Sequence, residues 1–283
     1  KYTSSGKIKG VRLRGEPSYG ALVPVAKLQE LNTGVPLFIG DDVAERLKVI
    51  KWEPLPGVLG DDDERPHPAF HTYTDIESYG NFPNVFEDDE FVILTEKIHG
   101  INNRVGLVEG EWMAGSHISR KKVPVDLLSR NLHCFPLSFR NVKDMILLMT
   151  EVFSAKSVIL FSEVYGSIQK LKYGHRKDQI SFRSFDVSID GKYLDWLEMT
   201  RFTEPADVPI VPILEMAKLS FIKEIGFDKF ASGNTTLLDQ YENSIDHIRE
   251  GFVIRPVKER TNPKIGRIIL KVKNVDYLAR NYE

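Results

Sequence analysis

Six apolar runs of strand-forming residues constrain this chain more firmly than anything else in it. They are "FVILTEKI" (91–98), "NRVGLVEG" (103–110), "SVILFSEVYG" (157–166), "QISFRSFDVSI" (179–189), "GFVIRP" (251–256) and "RIILKVKN" (267–274). Most are rich in β-branched and aromatic residues and are bounded by turn formers, the pattern of strands. Helices interrupt them. Val142, Met145, Ile146, Met149, Val152 and Phe153 recur at three-and-four spacing, which predicts a helix over 141–153 with one buried face. A second helical stretch is expected at 213–226. Strands in runs with inserted helices predict a mixed α+β domain of antiparallel sheets, not a regular parallel βαβ array.

The front of the chain reads differently. "VRLRG" (11–15) alternates apolar and basic residues, "GEPSYG" (15–20) supplies turn chemistry, and "ALVPV" (21–25) is a second short strand. "IGDDVAERLKVIKWE" (39–53) predicts a short helix capped by Asp41 or Asp42, with Val43, Leu47 and Ile50 on one face. "PLPGVLGDDDERPHP" (54–68) has no periodicity and reads as a linker, which places a domain boundary between residues 54 and 70. The expectation is therefore a small β-rich segment over 1–60 and a larger domain over 71–283. With 42% hydrophobic and 28% charged residues, global disorder is excluded. No apolar run approaches the ~18 residues of a membrane span. The lone cysteine, Cys134 in "LHCFP", excludes an intramolecular disulfide. It reads as a packed core thiol and fits a reducing intracellular compartment, with cytoplasm and nucleus undistinguished. Because the first residue is lysine, the chain is expected to be a fragment, a processed product or the ordered part of something longer.

A net charge of −2 leaves a polyanionic partner open, because local patches decide that question. "KIKGVRLR" (7–14), "SRKK" (119–122) and "KLKYGHRK" (170–177) are basic; "GDDDE" (60–64) and "EDDE" (87–90) are acidic. Each is a solvated face or a grip on a charged partner. His67 and His71 beside the acidic run read as solvated residues of a linker. Three Lys-x-x-Gly tetrads occur, at 7–10, 97–100 and 223–226, where about one is expected by chance from ordinary lysine and glycine usage. Only Lys97 ends a continuous apolar strand and precedes a polar, alternating one; it is a nucleophile or an ordinary strand-end charge. Glu163, inside an apolar strand, requires a cation, metal or hydroxyl partner unless it faces solvent. Phe185, beside Asp186, can stack on a nucleobase or pack in a core. Glu250 stands just before a glycine and another apolar strand. Lys271 and Lys273 project to one side of a strand, where they cover a solvated face or grip phosphate.

Taken in order, "EKIHGIN", "FSEVYG", "FRSFDV", "EGFVIRP" and "ILKVKN" resemble motifs I, III, IIIa, IV and V of the covalent nucleotidyltransferase superfamily of ligases and capping enzymes. "EKIHG-x-N" is especially similar to the RNA ligase 2 and RNA-editing ligase group. The resemblance implies an α+β, ATP-grasp-like catalytic domain of antiparallel sheets with flanking helices. "KIKGVRLRGEPSYGALVPV" further resembles the end of an OB-like module that precedes the catalytic domain in some RNA ligases. It implies that Lys97 attacks the α-phosphate of ATP to form a lysyl–AMP phosphoramidate, that AMP then moves to an RNA 5′-phosphate, and that a 3′-hydroxyl displaces AMP to seal the strand. An amine attacks only when neutral, so Lys97 needs desolvation or nearby cations. Lys271 and Lys273 are the implied catalytic cations. Glu96, Gly100, Asn102, Arg120, Glu163, Phe185, Glu250, Lys271 and Lys273 are the implied nucleotide-binding residues. Within that set Glu163 is placed on the ribose, Phe185 on adenine and Arg120 on phosphate or ribose. A hydrated Mg²⁺ or Mn²⁺ is expected near Glu163 and Glu250. Lys170, Lys172, Arg176 and Lys177 either track an RNA backbone or sit on a surface loop. The implied partners are ATP and RNA ends or a nicked duplex, with no membrane, and a monomer is expected.

Two departures from the superfamily stand out. His99 occupies the place of a motif I acid, so that acid's role does not transfer. The chain also ends nine residues after Asn274, so an N-terminal module is expected to replace the C-terminal domain that many relatives carry. The alternatives are a GTP-dependent RNA capping guanylyltransferase and a non-catalytic RNA-binding protein with a ligase fold.

Overall fold

The computed structural model describes residues 11–13, 16–18, 62–124, 131–237 and 247–280. The chain divides into two compact units, Lys1–Val58 and Leu59–Glu283. In the first, β1 (Val11–Leu13) pairs antiparallel with β2 (Glu16–Ser18). "GEPSYG", expected as a turn, thus contributes three residues to the partner strand. The strand expected at 21–25 and the helix expected at 39–53 lie outside the described residues.

The second unit is built on two facing sheets. One has seven strands: β3 (Asp63–Glu64), β6 (Ile101–Val108), β7 (Glu111–Ser116), β8 (Arg120–Lys121), β9 (Ser157–Gly166), β10 (Ile180–Ile189) and β11 (Lys192–Tyr193), ordered β11-β10-β9-β6-β7-β8-β3. The other has five: β4 (Glu77–Ser78), β5 (Phe91–Glu96), β12 (Ile213–Lys218), β13 (Gly251–Pro256) and β16 (Leu270–Lys273), ordered β12-β5-β13-β16-β4. A small hairpin of β14 (Thr261–Asn262) and β15 (Gly266–Arg267) stands apart. Within the two main sheets only the β16–β4 pairing is parallel. Residues 62–70, read as linker, belong to this unit: Asp63 and Glu64 pair with β8, and Phe70 is buried.

The pleat explains which face of each strand does what. Along the five-stranded sheet Val92, Leu94, Phe252, Ile254 and Leu270 enter one apolar cluster, under helices Leu219–Ile225 and Phe227–Ala231. The alternate residues, Thr95, Lys97, Val253 and Lys271, therefore face the other sheet. In the seven-stranded sheet Val105, Val158, Leu160 and Val164 pack under helix α1 (Arg140–Val152), leaving Asn102, Arg104, Phe161 and Glu163 on the facing side. Helix α1 buries Val142, Met145, Ile146 and Met149 as its spacing predicts. Val152 departs from the expectation: it falls at the edge of the stripe and is 58% exposed.

The helix expected over 213–226 is half strand. Ile213–Lys218 pairs with β5, and only Leu219–Ile225 is helical. Leu214, Glu215, Met216 and Ala217 favour a helix intrinsically, but the open edge of β5 supplies backbone partners that override a weak propensity. "RIILKVKN" is likewise split, with Arg267 in the small hairpin and Leu270–Lys273 in the main sheet.

Candidate active site

Between the sheets lies a cavity of about 240 Å³. Lys97, Glu96, Asn102, Glu163, Phe185 and Lys271 line it, together with Thr95, Val253, Arg255 and residues 73–76. Sheet register explains the convergence. Thr95 stands opposite Val253, and Val253 opposite Lys271, so one row crosses β5, β13 and β16. The next row is Lys97, whose N–H donates to the Gly251 carbonyl (3.0 Å), then Gly251 itself, then Lys273 opposite it. On the facing sheet Asn102 pairs directly with Glu163.

Glycines make the close approaches possible. A Cβ on Gly100 would lie 2.4 Å from the Val164 carbonyl oxygen and 2.8 Å from Glu163 Cγ. Gly251, at φ +148°, would place a Cβ 2.1 Å from the Val272 carbonyl oxygen. These contacts account for Gly100, three residues after Lys97, and Gly251, next to Glu250, better than any turn does.

The charges are strongly coupled. Lys97 Nζ is 2.8 Å from Glu250 Oε1. Burial pushes the Glu250 carboxyl up, but the His99 imidazole 3.7 Å away and the Lys97 charge outweigh it and hold it below the ordinary carboxylate range. Glu163 goes the other way. Burial raises it from 4.5 to about 7, with Glu250 adding to the rise, while Lys97 and the Gly100 N–H oppose it. Lys271 is lowered by burial first, then by the charges of Lys97 and Lys273. Asn102 Oδ1 and Glu250 Oε2 are buried without a hydrogen-bond partner, so the site holds acceptors that lack donors.

Other predicted residues take up different positions. Glu96 lines the cavity, yet its carboxylate is engaged by the Thr235 hydroxyl and by the Thr236 N–H (2.8 Å) and hydroxyl (2.6 Å), with Arg249 3.6 Å away. It anchors the strand that presents Lys97. Glu250 and Gly100 stand behind the cavity lining, against Lys97 and Glu163 respectively, and Lys273 lies beside them in the row through Gly251. Arg120, on β8, is not among the lining residues; its guanidinium pairs with Glu64 of β3 (2.9 Å) and Glu111 of β7. Phe185 is the bulged residue of β10, where the register shifts between Ser184 and Asp186. Its ring lines the cavity edge-on to Tyr73, with centroids 4.9 Å apart. His99 links motif I to the chain's last helix, Val275–Ala279: its Nδ1 is 2.9 Å from the Tyr277 hydroxyl and 3.7 Å from Glu250.

Sequence reasoning missed several lining residues. Asp75 and His117 are 3.2 Å apart at the rim, and the 73–76 segment forms a wall; no pattern marks them. Arg255 had a signal, the alternation of "GFVIRP". Beneath it Asp186 is fully buried among Arg255 (2.8 Å), Arg267 (2.7 Å) and the Tyr73 hydroxyl (2.7 Å). Burial alone would raise Asp186, but the two guanidiniums outweigh it and keep the carboxylate ionised. That network ties β10, β13 and the 73–76 wall into one rigid floor.

The fold has known counterparts. Structures of Naegleria gruberi RNA ligase superpose over most of the chain. A variant with ATP and Mn matches at a TM-score of 0.66 and 22% identity, covering 96% of this chain and 76% of that one. The form with pyrophosphate matches at 0.65, with 22% identity and the same coverage. A variant with AMP and Mn also matches at 0.65 and 22% identity, again covering 96% and 76%. At that identity the likeness establishes the fold. No curated protein matches the sequence. The RNA ligase family profile, however, matches residues 90–273, a span that covers most of the chain and all five motifs but for Asn274, the last residue of "ILKVKN". This chain belongs to the RNA ligase family.

Proposed function

We propose that the chain joins RNA ends with ATP through a lysyl–AMP intermediate on Lys97. The observation that carries the reading is the convergence on one cavity of Lys97, just past the end of β5, with Asn102, Glu163, Phe185 and Lys271 from four other strands. Lys97 Nζ forms a bond to the α-phosphorus of ATP while the bond to the pyrophosphate oxygen breaks and Nζ loses a proton. Lys271 and Lys273 add positive charge beside Lys97, and Glu250 holds its Nζ in place at 2.8 Å. The same two cations meet the negative charge on the α-phosphate during transfer. Phe185 supplies an aromatic face for adenine. Glu163, raised to about 7 and so present in both forms near neutral pH, is able to donate or accept at a ribose hydroxyl. Support for ATP comes from the Naegleria gruberi ligase structures with ATP and Mn.

Among the described residues no group of three or more His, Cys, Asp or Glu side chains is placed to cage a metal. The donor set fits a hydrated divalent ion that is anchored mainly on phosphate, with Glu163 and Glu250 holding it through water. Such an ion, when bound, would neutralise phosphate charge.

Residues 1–60 are proposed as an OB-like module that helps hold RNA, and 71–283 as the catalytic domain; the separate compactness of Lys1–Val58 supports the division. The buried free thiol of Cys134 supports an intracellular setting, and the working form is taken to be a monomer. No helix among the described residues is long and apolar enough to cross a membrane.

The test is sealing of a nicked RNA duplex labelled at the 5′-phosphate, in the presence of Mn²⁺ and either ATP or GTP. Joining with ATP, lost in Lys97→Ala, is expected. Nucleotide transfer from GTP alone would favour a capping reaction, and binding without either would favour a non-catalytic RNA-binding protein.

A further inference from the structure

Between β9 and β10 the chain makes an excursion over residues 167–179 whose construction goes beyond a surface loop. Its two ends are pinned together: the Ser167 N–H donates to the Gln179 carbonyl at 2.9 Å, beside Gly166 at φ +118°. Within it, buried and exposed residues interleave. Leu171, Tyr173 and His175 are buried at 4%, 1% and 6% exposure, whereas Lys170, Lys172, Arg176 and Lys177 are exposed. The acid in the same stretch is Asp178.

The buried residues hold it from beneath. His175 Nε2 bonds the Ser181 hydroxyl at 2.8 Å, and its Nδ1 and N–H both reach the Lys172 carbonyl. The Tyr173 N–H donates to His247 Nε2 (3.1 Å), and its ring stacks on that imidazole with centroids 4.6 Å apart. Tyr173 adopts φ +52°, a conformation that a bulky side chain takes only when its surroundings impose it.

Two contacts stand this excursion on the turn that follows Lys97. The Tyr173 hydroxyl accepts the His99 N–H at 2.6 Å, and Gln169 Nε2 donates to the Gly100 carbonyl at 3.3 Å. His99 and Gly100 follow Lys97 by two and three residues. The four cations are therefore carried on a rigid platform fixed next to the nucleophile.

We propose that this platform grips the phosphate backbone of the RNA strand at the break, and the proposal rests on the ligase reading above. The partner chemistry follows from what the platform presents. Its cations face outward, while its aromatic residues, Tyr173 and His175, are turned inward and unavailable for base stacking. Such a surface binds backbone phosphates without reading sequence.

The test uses the full chain with Lys170→Gln, Lys172→Gln, Arg176→Gln and Lys177→Gln combined, compared with a charge-preserving Lys/Arg exchange at the same positions. Binding to nicked RNA duplex is measured from low to moderate salt, and lysyl–AMP formation from ATP is measured without RNA. The expected result is weaker binding and a log–log salt slope flatter by about 0.7–0.9 per lost phosphate contact, so by roughly 3 for four. Lysyl–AMP formation is expected to stay at the wild-type level, and the charge-preserving variant to bind like wild type. An unchanged slope with intact folding would overturn the proposal and assign the charges to another partner, such as an acidic protein. Should the quadruple variant unfold, Lys172→Gln with Lys177→Gln carries the same test at half the slope change. If the wild type itself forms no lysyl–AMP, it is the ligase reading that fails; that outcome is read in a separate channel from the salt slope.

Discussion

Replacing Glu163 with glutamine separates the electrostatics of the site from its chemistry. In the folded chain the carboxyl keeps its proton up to about pH 7, whereas an ordinary glutamate loses it near 4.5. Between those values the native state binds more protons than the unfolded state, so the stability contributed by this group falls as pH rises, and above pH 7 the whole penalty is present. The interval sets an upper bound of about 3 kcal/mol at ~1.4 kcal/mol per pH unit. Water reaching a half-buried side chain reduces the expectation to about 1–2 kcal/mol. Glutamine keeps an acceptor for the Gly100 N–H and removes the charge. Urea unfolding of both proteins should therefore show Glu163→Gln gaining on the wild type between pH 4.5 and pH 8, even as nucleotide transfer is lost. Other titrating groups are common to both proteins and cancel. A stability difference that does not change with pH would refute the reasoning, because it would mean that Glu163 is ionised and solvated as an edge-strand residue.

Two further outcomes follow from packing. Asp186→Asn should lower stability by about 3–5 kcal/mol, measured by urea unfolding, because it strips the carboxylate from two buried guanidiniums, Arg255 and Arg267. Gly100→Ala should cost about 1–3 kcal/mol in the same measurement and also impair nucleotide transfer, since its Cβ would press on the Val164 carbonyl and on Glu163.

Much of the fold was legible because it depends on local alternation. Leu270 and Val272 pack in the core of one face, so Lys271 and Lys273 are bound to emerge on the other. A carboxylate in the apolar run around Glu163 announced a partnered site. Helix α1 was readable from its stripe of Val142, Met145, Ile146 and Met149. What local pattern could not show is pairing and proximity. The choice of Ile213–Lys218 to join the edge of β5 is a tertiary decision that its helix-favouring residues conceal. The bulge after Ser184 brings Asp186 onto the same face as Phe185, and alternation assumes there is none. The wall at 73–76 and the pairing of Arg120 with Glu64 and Glu111 depend on which segments meet across the sheets, and nothing in a single strand records that. His99 had no sequence rationale, yet the structure gives it neighbours, Glu250, Tyr277 and the Tyr173 hydroxyl, that join motif I to motif IV, the last helix and the basic platform.

The central claim is that Lys97 carries AMP, and intact-protein mass spectrometry after incubation with ATP and Mn²⁺, followed by peptide mapping, tests it most directly. The account predicts an increase of one AMP per chain, acid-labile as a phosphoramidate, located on Lys97 and absent from Lys97→Ala. An adduct on any other residue, or a folded wild-type chain, free of preloaded AMP, that takes up none, would contradict it.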